Sequence, residues 1–103
     1  MKQVQLGEQF DLPLKESVQL GETPFFVTTK DILRFQSVEG ADQFLLTLVL
    51  ANEWTTEEVS VDGTLDFPAN NLQITWGDYV LRVPNVDCDA RIASLIIENG
   101  KQA

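Results

Sequence analysis

The chain has 103 residues, 44% of them hydrophobic, with 16 acidic against 7 basic side chains and a formal net charge of −9. That length and apolar share read as one β-rich domain over residues 1–103, with material for a single core. The charge repels phosphate backbones and anionic lipid surfaces, and the absence of histidine removes the commonest base and metal ligand near neutral pH.

Most of the chain alternates apolar and polar residues with period two, the pattern of half-buried strands. Val4-Gln5-Leu6-Gly7-Glu8 is echoed by Val18-Gln19-Leu20-Gly21-Glu22, which reads as two similar strand ends. Between them Phe10 and Leu12 share a face, and Pro13 marks an edge strand or a strand end. Pro24 plays the same part just before Phe25-Phe26-Val27. Segments 33–38 and 43–48 close into a hairpin through Gly40-Ala41, with glycine at the positive-φ position of a type II′ turn. This closure pairs Ser37 with Phe44, Phe35 with Leu46 and Leu33 with Leu48, on one apolar face. Leu48-Val49-Leu50-Ala51 is apolar on both faces, as in a central strand covered from both sides.

The next hairpin is expected around Asp62-Gly63. A three-residue loop, Val61-Asp62-Gly63, sets Val59 opposite Leu65 and keeps the faces in phase, which a two-residue turn does not. Gly77-Asp78 is expected to form a type II′ turn that pairs Trp76 with Tyr79, Ile74 with Leu81 and Leu72 with Val83. Its rival is a corner at which the chain crosses between sheets. After Pro84, residues 85–89 read as loop. Residues 90–99 read as a final strand, because Ile92, Ile96 and Ile97 are β-branched and Asn99-Gly100 signals a turn; a helix capped by Asp89 is the alternative.

Gly77, Tyr79 and the alternating Leu81 and Val83 resemble the late strand of immunoglobulin-like sandwiches, which often begins Gly-x-Tyr. No cysteine pair accompanies them, which sets aside antibody-type domains but not their disulfide-free relatives. The texture of the chain is similar to small β-sandwich modules of phage tails and baseplates. That resemblance implies homo- or hetero-oligomeric assembly through strand edges or exposed aromatics. The fold expected is therefore all-β, an immunoglobulin-like β-sandwich or small antiparallel barrel of about eight to ten short strands.

Chemistry is sparse. Cys88 is the single cysteine, and the neighbouring Asp87 and Asp89 raise its pKa, so it reads as an inert thiol in a reducing environment. Asn85, Asp87 and Asp89 offer oxygen ligands at alternate positions but lack the glycine and glutamate of an EF-hand loop. No phosphate-binding glycine motif is present, and no catalytic residue, cofactor, metal or small-molecule ligand is inferred. Between Phe35 and Leu81 lie eight carboxylates and no lysine or arginine. Within that stretch Glu53, Trp54, Glu57 and Glu58 are the candidate partner-binding residues. Glu57 and Glu58, on adjacent strand positions, point to opposite faces. Trp54 could desolvate Glu53 for hydrolase chemistry, or simply cover the edge of the core.

The functional expectation is a non-enzymatic structural or protein-interaction module, an assembly subunit of virion or tail type. The alternative is a small acidic inhibitor or decoy for a basic site, and a carboxylate-dependent hydrolase is the minor option. The partner is another protein or further copies of the chain, not nucleic acid or membrane. The N-terminus has no apolar segment of signal-peptide length and no run is long enough to span a bilayer, so a cytoplasmic or virion-associated location is expected.

Overall fold

The computed structural model describes residues 2–64 and 72–100. Nine strands run through them in chain order: β1 (Lys2–Val4), β2 (Gln9–Pro13), β3 (Ser17–Leu20), β4 (Phe26–Gln36), β5 (Asp42–Ala51), β6 (Thr56–Thr64), β7 (Gln73–Trp76), β8 (Tyr79–Asp87) and β9 (Ile92–Asn99). They form two sheets, ordered β1-β3-β4-β5-β6 and β2-β9-β8-β7. The sheets pack as a sandwich and do not close into a barrel. Among the described residues there is no helix long and apolar enough to cross a membrane.

The core follows the alternation. Phe44, Leu46, Leu48 and Leu50 project inward from β5, Phe10 and Leu12 from β2, and Ala93, Leu95 and Ile97 from β9. Thr29 is fully buried among them, and its hydroxyl donates to the Leu12 carbonyl at 3.1 Å, tying β4 to β2 of the opposite sheet. The two echoed segments end side by side: β1 pairs with β3 in parallel, with Val4 opposite Leu20, and the Gly21 N–H donates to Val4 O at 2.8 Å. Pro13 closes an edge strand, and residues 92–99 form a strand rather than a helix, both as expected.

The Gly77-Asp78 hairpin has the expected register, with Trp76 opposite Tyr79 and Ile74 opposite Leu81. Gly77 takes φ +59 while Asp78 does not have a positive φ, the signature of a type II′ turn. This stretch is thus a hairpin and not a sheet-crossing corner.

Four expectations are corrected. In the β4–β5 hairpin the loop is five residues, 37–41, and the register places Gln36 opposite Asp42, Arg34 opposite Phe44 and Ile32 opposite Leu46. Ser37 makes the wider loop: its carbonyl accepts from Gly40 N–H, its N–H donates to Ala41 O, and its Oγ accepts from Ala41 N–H. The three-residue shift is odd, so Leu33 and Phe35 leave the core face and are 48% and 41% exposed. A bulge between Thr29 and Asp31, at Lys30, resets the phase of β4 so that Val27, Thr29 and Ile32 all point inward. On β5, Val49 and Ala51 are only half-buried, so this central strand is covered on one side, not two.

Asp62-Gly63 is not a turn but part of β6, paired with Leu45 and Phe44. Glycine is there for space, because a Cβ at Gly63 would lie 2.9 Å from two carbons of the Phe44 ring. The expected partner Leu65 lies outside the described residues. Residues 85–87 are strand as well: β8 continues past Pro84, which sits in a bulge between Arg82 and Asn85, and Val86 enters the core.

Gly63→Ala is expected to destabilise the fold by about 1–3 kcal/mol through overpacking against the buried Phe44 ring. Urea unfolding checks it; an unchanged midpoint would show that the ring has room to move.

Candidate functional site

The β5–β6 turn presents two of the four candidate residues. Asn52 shapes it: its N–H donates to Thr55 O at 2.9 Å, and its Oδ1 accepts from Trp54 N–H at 2.8 Å and Thr55 N–H at 2.9 Å. A short polar side chain folding back on the backbone fixes such a turn without help from the core. Trp54 stands on it 85% exposed, beside an exposed Glu53. The indole neither covers the core edge nor shields the Glu53 carboxyl from water.

Glu57 and Glu58 are not brought to that turn as a pair. They leave β6 on opposite faces, as the alternation requires. Glu57 Oε2 accepts from Trp76 Nε1–H at 2.7 Å, linking the edge strands of the two sheets. Trp76 in turn stacks on the buried Phe25, which also stacks on Tyr79 with ring centroids 4.7 Å apart. Glu58 meets Lys30 Nζ at 2.7 Å, across the outer face of β5. The bulged lysine thus neutralises an acid within the base-free stretch.

The opposite end of the sandwich carries a second cluster. Arg34 Nη2 meets Asp42 Oδ2 at 3.0 Å on its own hairpin, and Arg34 Nη1 meets Asp89 Oδ1 at 3.4 Å on the β8–β9 turn. One guanidinium therefore bridges both sheets at the rim of a polar cleft of ≈ 440 Å³ that Asn85, Asp87 and Cys88 also line. Asp87 Oδ1 is occupied by the N–H groups of Asp89 and Ala90. Its carboxylate shapes the turn, and Asp89 already faces a cation. Among the described residues no group of three or more His, Cys, Asp or Glu is set to hold a metal ion.

Burial pushes the Cys88 thiol above its ordinary pKa; Arg34 pulls it down, and Asp89 and Asp87 push it up again. The direction agrees with the expectation from its aspartate neighbours, but burial is the larger cause.

Sequence reasoning missed one feature, the outward apolar face of the β4–β5 hairpin. Leu33 and Phe35 share it with Leu45, which lies directly opposite Leu33, and Val38 projects fully into solvent from the loop. The signal that could have exposed it is the Ser37 and Gly40 pair, compatible with a loop wider than two residues.

Comparison with protein-family models, with curated proteins and with solved structures finds no match.

The pH–rate profile for alkylation of Cys88 is expected to have its midpoint above the ~8.5 of an unperturbed thiol. A midpoint at or below that value would show that Arg34 outweighs the burial of the thiol.

Proposed function

We propose that this chain is a non-enzymatic structural or protein-interaction module that works by assembly. The observation that carries the reading is the outward apolar face of the β4–β5 hairpin, where Leu33, Phe35 and Val38 are 48%, 41% and 107% exposed. Large apolar side chains grouped in this way mark association surfaces, whereas scattered ones need no explanation. Trp54 adds an aromatic anchor at the other end of β5.

Exposed aromatics favour face contacts over edge pairing. The outer strand β6 carries Glu57, Glu58 and Asp62, and charge on an edge strand discourages further strand addition. The similarity in texture to sandwich modules of phage tails and baseplates makes a virion-type assembly the proposed setting. The acidic-decoy reading draws less support. Asp42 and Glu58 are neutralised by Arg34 and Lys30, Glu57 is hydrogen-bonded to Trp76, and Glu39 and Glu53 lie at opposite ends of the β4–β5–β6 hairpins.

Light scattering of the full chain at about 0.1 M and about 1 M salt tests the reading, since screening dissolves a charge-held contact and spares an apolar one. The expected result is a defined multiple of the chain mass at both salts, reduced to monomer by Leu33→Ser with Phe35→Ser. A monomer at both salts overturns assembly with itself.

A further inference from the structure

A second cleft, of ≈ 360 Å³, lies at the Trp54 end of the sandwich and shares no residue with the β4–β5 hairpin. Leu6, Leu20 and Tyr79 give it an apolar lining, and Gln5, Gly21, Glu22 and Thr23 complete its rim. Its walls are fixed before anything binds. Tyr79 is held by stacking on Phe25. The turn at the end of β3 is closed by Thr23, whose Oγ1 donates to Leu20 O at 2.6 Å and accepts from Phe25 N–H at 3.2 Å. Gln19 Nε2 donates to Thr23 O at 2.8 Å. Leu6 stays 50% exposed although apolar side chains line the cleft beside it.

The charge of this cleft is one-signed. Glu22 is its single ionic group, exposed and without an ion pair among the described residues, and no lysine or arginine lines it. The polar cleft at the other end differs, because there Arg34 already sits between Asp42 and Asp89. An apolar trough with a free carboxylate at its rim fits a long side chain with a hydrocarbon stem and a cationic head. A guanidinium suits it better than an ammonium, being planar, weakly hydrated and able to lie against an aromatic ring while bonding a carboxylate.

We propose that the Leu6–Leu20–Tyr79 cleft receives an arginine side chain of a protein partner, with Glu22 as its counter-ion. The stem lies along Leu6 and Leu20, the guanidinium reaches Glu22, and the Gln5 amide oxygen supplies a further acceptor. This rests on reading the chain as an interaction module, but not on its self-association. A monomeric mass in light scattering leaves the cleft proposal standing, and failure of the cleft leaves assembly through the β4–β5 face standing.

Titration of the isotope-labelled full chain with acetyl-arginine amide, followed by amide NMR shifts, tests it. The neutral isostere acetyl-citrulline amide serves as control. The arginine probe is expected to move the signals of Leu6, Gly21, Glu22, Thr23 and Tyr79, with a dissociation constant on the order of 1 mM for so small a fragment. The citrulline probe should move them less, with a dissociation constant higher by at least the roughly two- to fivefold that one exposed ion pair supplies. Glu22→Gln, an exposed change, should weaken binding by about two- to fivefold, the size of one exposed ion pair. No shift at these residues, equal shifts with citrulline, or undiminished binding by the variant would each overturn the proposal.

Discussion

The extra residue at Lys30 sets the phase of the longest strand. Before it, Val27 and Thr29 face the opposite sheet; after it, Ile32 does, and Leu33 and Phe35 are turned to solvent. In an unbulged strand the odd-numbered positions would all point inward, and Leu33 and Phe35 would join the core in place of Ile32. A one-residue slip exchanges the two faces of everything beyond it. Leaving Leu33 and Phe35 roughly half in water forgoes about 1 kcal/mol each of burial. The outer ion pair, Lys30 with Glu58, is exposed and contributes little by itself. Thr29, locked to Leu12 of the other sheet just before the bulge, has the firmer hold on the phase.

The two ends of the sandwich are built differently as a consequence. At one end the β4–β5 hairpin carries Arg34, whose guanidinium joins Asp42 of the same hairpin to Asp89 of the opposite sheet. At the other end the sheets are joined by rings, with Phe25 stacked on Trp76 and Tyr79, and Trp76 tied to Glu57. Charge closes one end and aromatic packing the other. The acidic stretch that dominates the sequence does not survive as a block, since its carboxylates among the described residues are distributed over turns, edges and both faces of β6.

Much of this architecture was legible in the sequence. Period-two alternation marked the strands, Pro13 an edge, and Gly77-Asp78 a hairpin whose register follows from matching Trp76 with Tyr79. What could not be read was where alternation is interrupted. Lys30 is an ordinary polar residue in a strand, and nothing local marks it as bulged; its role comes from Thr29 and Ile32 both meeting the other sheet. Gly63 misled because Asp-Gly is a strong turn signal, while its actual constraint is the Phe44 ring on the neighbouring strand, a contact distant in sequence. Trp54, beside Glu53 on the β5–β6 turn, projects outward because Asn52 holds the turn by itself, which its place in the sequence does not reveal. The Leu6–Tyr79 cleft needs the two sheets to be assembled before it exists.

Cross-strand backbone NOEs in the β4–β5 hairpin test the central claim, the phase set at Lys30, most directly. The structure requires contacts between Phe35 and Gln43, between Arg34 and Phe44, and between Ile32 and Leu46. Contacts that place Phe35 opposite Leu46 and Leu33 opposite Leu48 would contradict it, return both side chains to the core, and remove the outward apolar face.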